Sequence, residues 1–170
     1  MIARDPTRRV LSDPRELALT VFGAGLLRPA PGTWGSLVPV VLATVAAMVG
    51  TTAGEMLVGL AIVATVSSVA CIAWGGWAER RWGRTDAGEI VADEVAGQAI
   101  ALAAVPWAVG GVPWWWIAAA FALFRLFDIA KPPPIGRLQT LPRGWGVLAD
   151  DLAAGTVAGG LLLLGRFALG

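Results

Sequence analysis

The chain is 170 residues long, a one-domain length, with 56% hydrophobic residues, 15% charged residues, 22 glycines and a mean hydropathy of +0.69. Soluble domains carry about 25% charged residues, so this composition excludes a soluble domain, a disordered chain and a disulfide scaffold, and indicates an integral membrane protein. A net charge of +1 gives no field for nucleic acid, the single cysteine (Cys71) allows no internal disulfide, and the absence of histidine removes imidazole acid–base chemistry and His-ligated zinc.

The first segment, MIARDPTRRVLSDPREL, is charged and lacks an apolar h-region, so no cleaved signal peptide is expected. Residues 14–27 predict a short interfacial helix, with Asp13 at the N-cap, Pro14 at N1 and Glu16 at capping-box spacing. GAGLLRPAPGTWGS (Gly23 to Ser36) reads as a loop whose hydroxyls, Thr33 and Ser36, and close-approach glycines, Gly32 and Gly35, suit an anion. Ser36 is expected to cap the first span.

Residues 29–54, 56–78, 95–124 and 152–165 are free of charge. A span needs about 20 apolar residues. The first two runs predict spans near 36–53 and 56–77, joined by the turn TTAGE. The third is broken by PWAVGGVP and predicts two spans, 89–105 and 113–131; the last predicts 152–169. The expectation is an all-α polytopic membrane bundle of about five spans, one domain over 1–170, preceded by the interfacial helix.

The charges fall in three groups: the N-terminal segment, 79–94 and 125–151. Five spans with the N-terminus inside place all three on one side, which the positive-inside rule makes cytoplasmic. Trp107 and Trp114 to Trp116 are then expected at the outer interface, and Trp34, Trp74, Trp77, Trp82 and Trp145 at the inner one.

Two acidic stretches resemble each other. IVADEVAG (Ile90 to Gly97) and VLADDLAA (Val147 to Ala154) align Asp93 with Asp150 and Glu94 with Asp151. Acids at helix N-termini can simply complement the helix dipole, by about 0.3–1 kcal/mol. Four carboxylates at a hydrocarbon boundary are costly, however, unless paired or bound to cations. With no His or Cys ligand at hand, hard oxygen donors select Mg²⁺, Mn²⁺ or Ca²⁺. In FRLFDIAKPPPIG (Phe124 to Gly136), Arg125, Asp128 and Lys131 recur every three residues, and prolines stop the helix after Lys131. They either neutralise one another or recognise phosphate, Arg bidentately and Lys as a point charge.

FGAGLLRPAPGTWGS, DAGEIVADEVAG, FRLFDIAKPPPI and GWGVLADDLAAG, in this order, resemble the phosphatidylglycerophosphatase A family and cover about a third of the chain. The resemblance implies a small, Mg²⁺-dependent enzyme of the bacterial inner membrane, multi-pass, with N-terminus and active site cytoplasmic. Its substrate would be phosphatidylglycerophosphate, hydrolysed to phosphatidylglycerol and phosphate. It also implies catalytic roles for Asp93, Glu94, Asp128, Asp150 and Asp151, with Asp93, Glu94, Asp150 and Asp151 holding metal and Thr33, Ser36, Arg125 and Lys131 binding substrate. Asp128 or Asp150 is the candidate general base or nucleophile. The chain departs from some members in having no His near Asp86.

Rival readings remain. CDP-alcohol phosphotransferases need a DxxDGxxAR core, which DDLAAG does not supply. No CxxxxxR loop and no DxDx[TV] nucleophile is present, and His-dependent lipid phosphatases are excluded. Another Mg²⁺-dependent lipid phosphotransfer enzyme, or a cation-coupled transporter or scaffold, stays open, as does assembly into a homo-oligomer. A transporter would place its charges near the bilayer midplane rather than at helix ends.

Overall fold

The computed structural model describes residues 13–85, 87–108, 112–142 and 144–169. Arg4, Arg8, Arg9, Asp86, residues 109–111 of the PWAVGGVP break and Arg143 lie outside the described residues. Among the described residues the structure is all-helical, without strands. Its α-helices are α1 (Pro14–Leu19), α2 (Pro31–Met48), α3 (Ala53–Trp82), α4 (Ala92–Ala103), α5 (Trp114–Ala130) and α6 (Gly144–Leu169), with 3-10 turns at Ala24–Leu26 and Ile135–Thr140. Three of these, α2, α3 and α6, are long and apolar enough to cross a bilayer. The third and fourth expected spans are realised as α4 and α5, with 12 and 17 residues. Both fall short of the roughly 20 residues a full crossing takes.

The helix starts differ from expectation in instructive ways. Asp13 does cap α1, its carboxylate accepting from the Arg15 N–H at 2.9 Å. Hydrogen bonds from Arg15 hold that carboxyl below its ordinary pKa. Glu16 closes no capping box. It is buried and accepts from the Arg81 guanidinium at the end of α3, while Arg15 lies 4.3 Å over the Trp77 ring. The helix stops at Leu19 rather than 27 because Val21 and Phe22 turn left-handed, at φ 48° and 54°. The Leu19 carbonyl then accepts from the Val91 N–H at 2.9 Å, fastening α1 to the threshold of α4.

Ser36 does not cap the first span. Pro31 takes N1, where its missing N–H costs nothing, and α2 starts there. Ser36 therefore lies in the second turn, its Oγ donating to the Gly32 carbonyl at 2.7 Å. A capping box does form on α3: the Thr52 hydroxyl accepts from the Glu55 N–H, and the Glu55 carboxylate accepts from the Thr52 N–H. Likewise α6 begins at Gly144, not 152. Two tryptophans expected at the outer interface are buried instead. Trp107 and Trp116 pack with Ala43, Met56, Leu60 and Leu102, and the Trp107 indole N–H donates to the Leu102 carbonyl at 2.9 Å.

The hub of the bundle is α4. Most of its residues are buried, and it packs against α2, α3, α5 and α6. Its closest approach is to α6. A Cβ on Gly97 would stand 2.5 Å from the Asp151 carbonyl oxygen, and one on Gly155 would collide with the Gly97 carbonyl. Only glycine at both positions lets the backbones meet.

Lys131 ends α5 in the left-handed region (φ 42°), its N–H accepted by the Phe127 carbonyl at 2.9 Å. Its Nζ donates to Asp150 of α6, whose side chain is only 1% exposed. Breaking such a pair leaves a buried charge alone. We therefore expect Lys131→Met to destabilise the fold by about 3 kcal/mol in micellar denaturation. The double variant Lys131→Met/Asp150→Asn should recover most of that loss. Losses that simply add would contradict the pairing.

Candidate active site

One end of the bundle collects the start of α2, the end of α3, the start of α4, the end of α5 and the start of α6. The Val91–Leu19, Arg81–Glu16 and Lys131–Asp150 contacts close it, and Glu89 meets Arg84 at 2.5 Å and Arg28 at 3.6 Å. Described members of all three charged groups thus share this end.

Asp93 and Glu94 sit in the first turn of α4, where the chain enters the hub. Asp151 comes from α6, carried in by the glycine contact. One carboxylate oxygen from each of the three lies within 4.8 Å of the others. Asp93 and Asp151 are buried, and the Glu94 N–H donates to Asp93 Oδ1 at 3.0 Å. The Glu94 Oε2 and Asp151 Oδ1 atoms are buried and meet no hydrogen-bond donor among the described residues. Asp128, also buried, adjoins Asp151.

Asp150 is directed differently: its partner is Lys131. The two halves of the sequence repeat therefore put three carboxylates on one centre and the fourth on a lysine. Dipole complementation does not account for the second pair. Asp150 is the seventh residue of α6, past the first turn within which that effect acts.

Arg125 borders the acidic centre. Its Nη1 donates to Asp128 at 2.5 Å and reaches Ser36 Oγ at 3.4 Å. Glycine at position 32 is needed here, because a Cβ there would collide with the Glu94 carboxylate and stand 3.1 Å from Arg125 Nη1. Thr33 is half-buried on the same first turn of α2. The structure thus brings together Asp93, Glu94, Asp128, Asp151, Arg125 and Ser36, with the Lys131–Asp150 pair one residue along α6. Sequence reasoning passed over Gln98, an amide 0% exposed on α4. The signal for it was a lone polar side chain inside an apolar run.

Clustered hard-oxygen donors suit a divalent cation. A guanidinium beside them suits phosphate oxygens. Together they suit phosphate-ester chemistry at one end of a membrane bundle.

Comparison with known proteins agrees with that chemistry. The family model described as Phosphatidylglycerophosphatase A matches residues 17–166. A Haemophilus influenzae protein named Phosphatidylglycerophosphatase A is 38% identical over 166 residues, covering 93% of each chain. An Escherichia coli protein of the same name is 32% identical over 157 residues, covering 92% of this chain and 86% of its own. A Bacteroides thetaiotaomicron protein, provisionally named a phosphatidylinositol-3-phosphatase, is 33% identical over 166 residues, covering 89% of this chain and 92% of its own. No solved structure matches. With a family model spanning most of its length and two relatives of that name aligned nearly end to end, the chain belongs to the phosphatidylglycerophosphatase A family.

Proposed function

We propose that this protein is a Mg²⁺-dependent phosphatase that hydrolyses phosphatidylglycerophosphate to phosphatidylglycerol and phosphate. The reaction would take place at the cytoplasmic face of a bacterial inner membrane, within one domain formed by the whole chain. The observation that carries this reading is the convergence of Asp93, Glu94 and Asp151 beside Arg125. The donor set fits the cation. It consists of carboxylates, and among the described residues no donor satisfies the buried Asp151 Oδ1.

In this reading Asp93, Glu94 and Asp151 hold Mg²⁺. When bound, the cation neutralises phosphate oxygens and eases deprotonation of water. Arg125 grips non-bridging oxygens of the terminal phosphate and stabilises the equatorial charge of an in-line transition state. Asp128 and Ser36 hold its guanidinium in place. Thr33 and the first-turn N–H groups of α2 steady the remaining oxygens. Each candidate base carries a cationic partner, Arg125 for Asp128 and Lys131 for Asp150; Asp128 is the better placed to take the proton of the attacking water, because it adjoins Asp151 of the acidic centre. The water oxygen forms the new bond to phosphorus as the glycerol oxygen departs. The proton that Asp128 removes balances the one that the departing oxygen takes up. Lys131 adds positive charge for the incoming headgroup. Gathering these groups at one end of the bundle favours an enzyme working at the interface over a transporter, whose charges belong at midplane.

Phosphate release from phosphatidylglycerophosphate in detergent should cease with EDTA and return with Mg²⁺. Asp93→Asn, Glu94→Gln and Asp151→Asn should each slow it by about 10²-fold or more while the protein stays folded. Folded variants turning over at the wild-type rate would defeat the metal assignment. Arg125→Ala should raise KM and lower kcat together, and unaltered kinetics would remove Arg125 from the site.

The orientation has its own test. Cys71 is buried, so added cysteines report on accessibility. Val49→Cys, at the exposed position that follows α2, should react with an impermeant maleimide in intact spheroplasts. Arg84→Cys should react only after permeabilisation. The opposite pattern would invert the topology.

A further inference from the structure

Gln98 is fully buried on α4, one helical turn beyond Glu94. Neither Nε2 nor Oε1 of its carboxamide meets a hydrogen-bond partner among the described residues. Burying a carboxamide in this way is unfavourable, and an apolar side chain of similar volume would suit the packing better. The fold therefore gives no reason for a glutamine here. Helical spacing sets its Cβ roughly 5–6 Å from that of Glu94. Among the described residues Glu94 Oε2 is likewise buried without a donor, and Arg125 Nε without an acceptor. Gln98 Nε2 is thus an unmet donor one turn from Glu94 Oε2, an unmet acceptor. A buried donor and acceptor at that separation are what an ordered water joins. On its other side Glu94 is confined by the first turn of α2, where Gly32 leaves its carboxylate just enough room.

We propose that Gln98 is a positioning residue of the acidic centre. Through a buried water, its Nε2–H holds Glu94 Oε2 and so fixes which Glu94 oxygen faces the cation. This rests on the reading that Asp93, Glu94 and Asp151 bind a divalent ion. Partners of metal ligands typically alter metal affinity by 10- to 100-fold when removed. Gln98 is too deep to meet the lipid headgroup, so its removal should act on metal affinity and leave lipid KM alone.

The test is a Mn²⁺ titration followed by EPR on the detergent-purified full chain, comparing wild type with Gln98→Leu and Gln98→Met. Thermal midpoints are recorded without metal. Both variants should keep or raise the midpoint, and their Mn²⁺ Kd should rise about 10-fold or more. The Mg²⁺ concentration for half-maximal activity should rise in parallel, with KM for lipid unchanged. A folded variant that binds Mn²⁺ as tightly as wild type would overturn the role of Gln98 while leaving the metal reading intact. Misfolding of both variants would also overturn it, by showing that the amide serves packing. A wild-type protein that binds no Mn²⁺ would instead defeat the metal reading.

Discussion

Where Gly97 and Gly155 face each other, the backbones of α4 and α6 meet with no side chain between them. That contact sets the position of everything at the acidic end. Asp151 lies one turn before Gly155, and Asp93 and Glu94 lie one turn before Gly97, so the close crossing carries the carboxylates into one cluster. Any side chain at either glycine would force the helices apart by the width of a methyl group or more. The carboxylates would then no longer lie close enough to form one cluster. The stability of the crossing comes from elsewhere: Ala101, Phe124, Ala154 and Ala158 pack beneath it as a small apolar cluster.

Around this crossing the chain supplies a collar. The carbonyl of Leu19 takes the Val91 N–H just before α4 begins, and Glu16 and Arg81 tie α1 to the end of α3. Lys131 ties α5 to α6 through Asp150. The first two links join elements distant in sequence, the third joins successive helices, and each is charged or main-chain in character. The opposite end is held by apolar contact, with Trp107 and Trp116 buried among Met56, Leu60 and Leu102. Polar fastening at one end and apolar packing at the other match a bundle whose chemistry lies at a single interface.

Much of this was legible in the sequence. The uncharged runs gave the helices and their order, because apolar length is a direct physical requirement of the bilayer. The acidic repeat and the Arg125–Asp128–Lys131 spacing led to the residues that meet. Helix boundaries were less legible. Pro31 overrode Ser36 as the start of α2, and Val21 and Phe22 ended α1 by adopting a conformation that propensity disfavours. The pairing of Asp150 with Lys131 was also hidden, since the repeat presents Asp150 as the equal of Asp93. Which carboxylate faces the centre depends on rotation about α6, and that rotation is fixed by contacts between distant segments. Gln98 was passed over for a related reason: its significance lies in what surrounds it.

The shortness of α4 has a consequence for life in a changing bilayer. At about 1.5 Å per residue its 12 residues extend roughly 18 Å, against a hydrocarbon thickness of about 30 Å. Its neighbours screen it from acyl chains on nearly every side. When lipid composition thins or thickens the membrane, tilting falls on the outer helices that touch lipid. The sheltered inner helix keeps its register, and the two carboxylates it bears keep their geometry while the surrounding membrane adjusts.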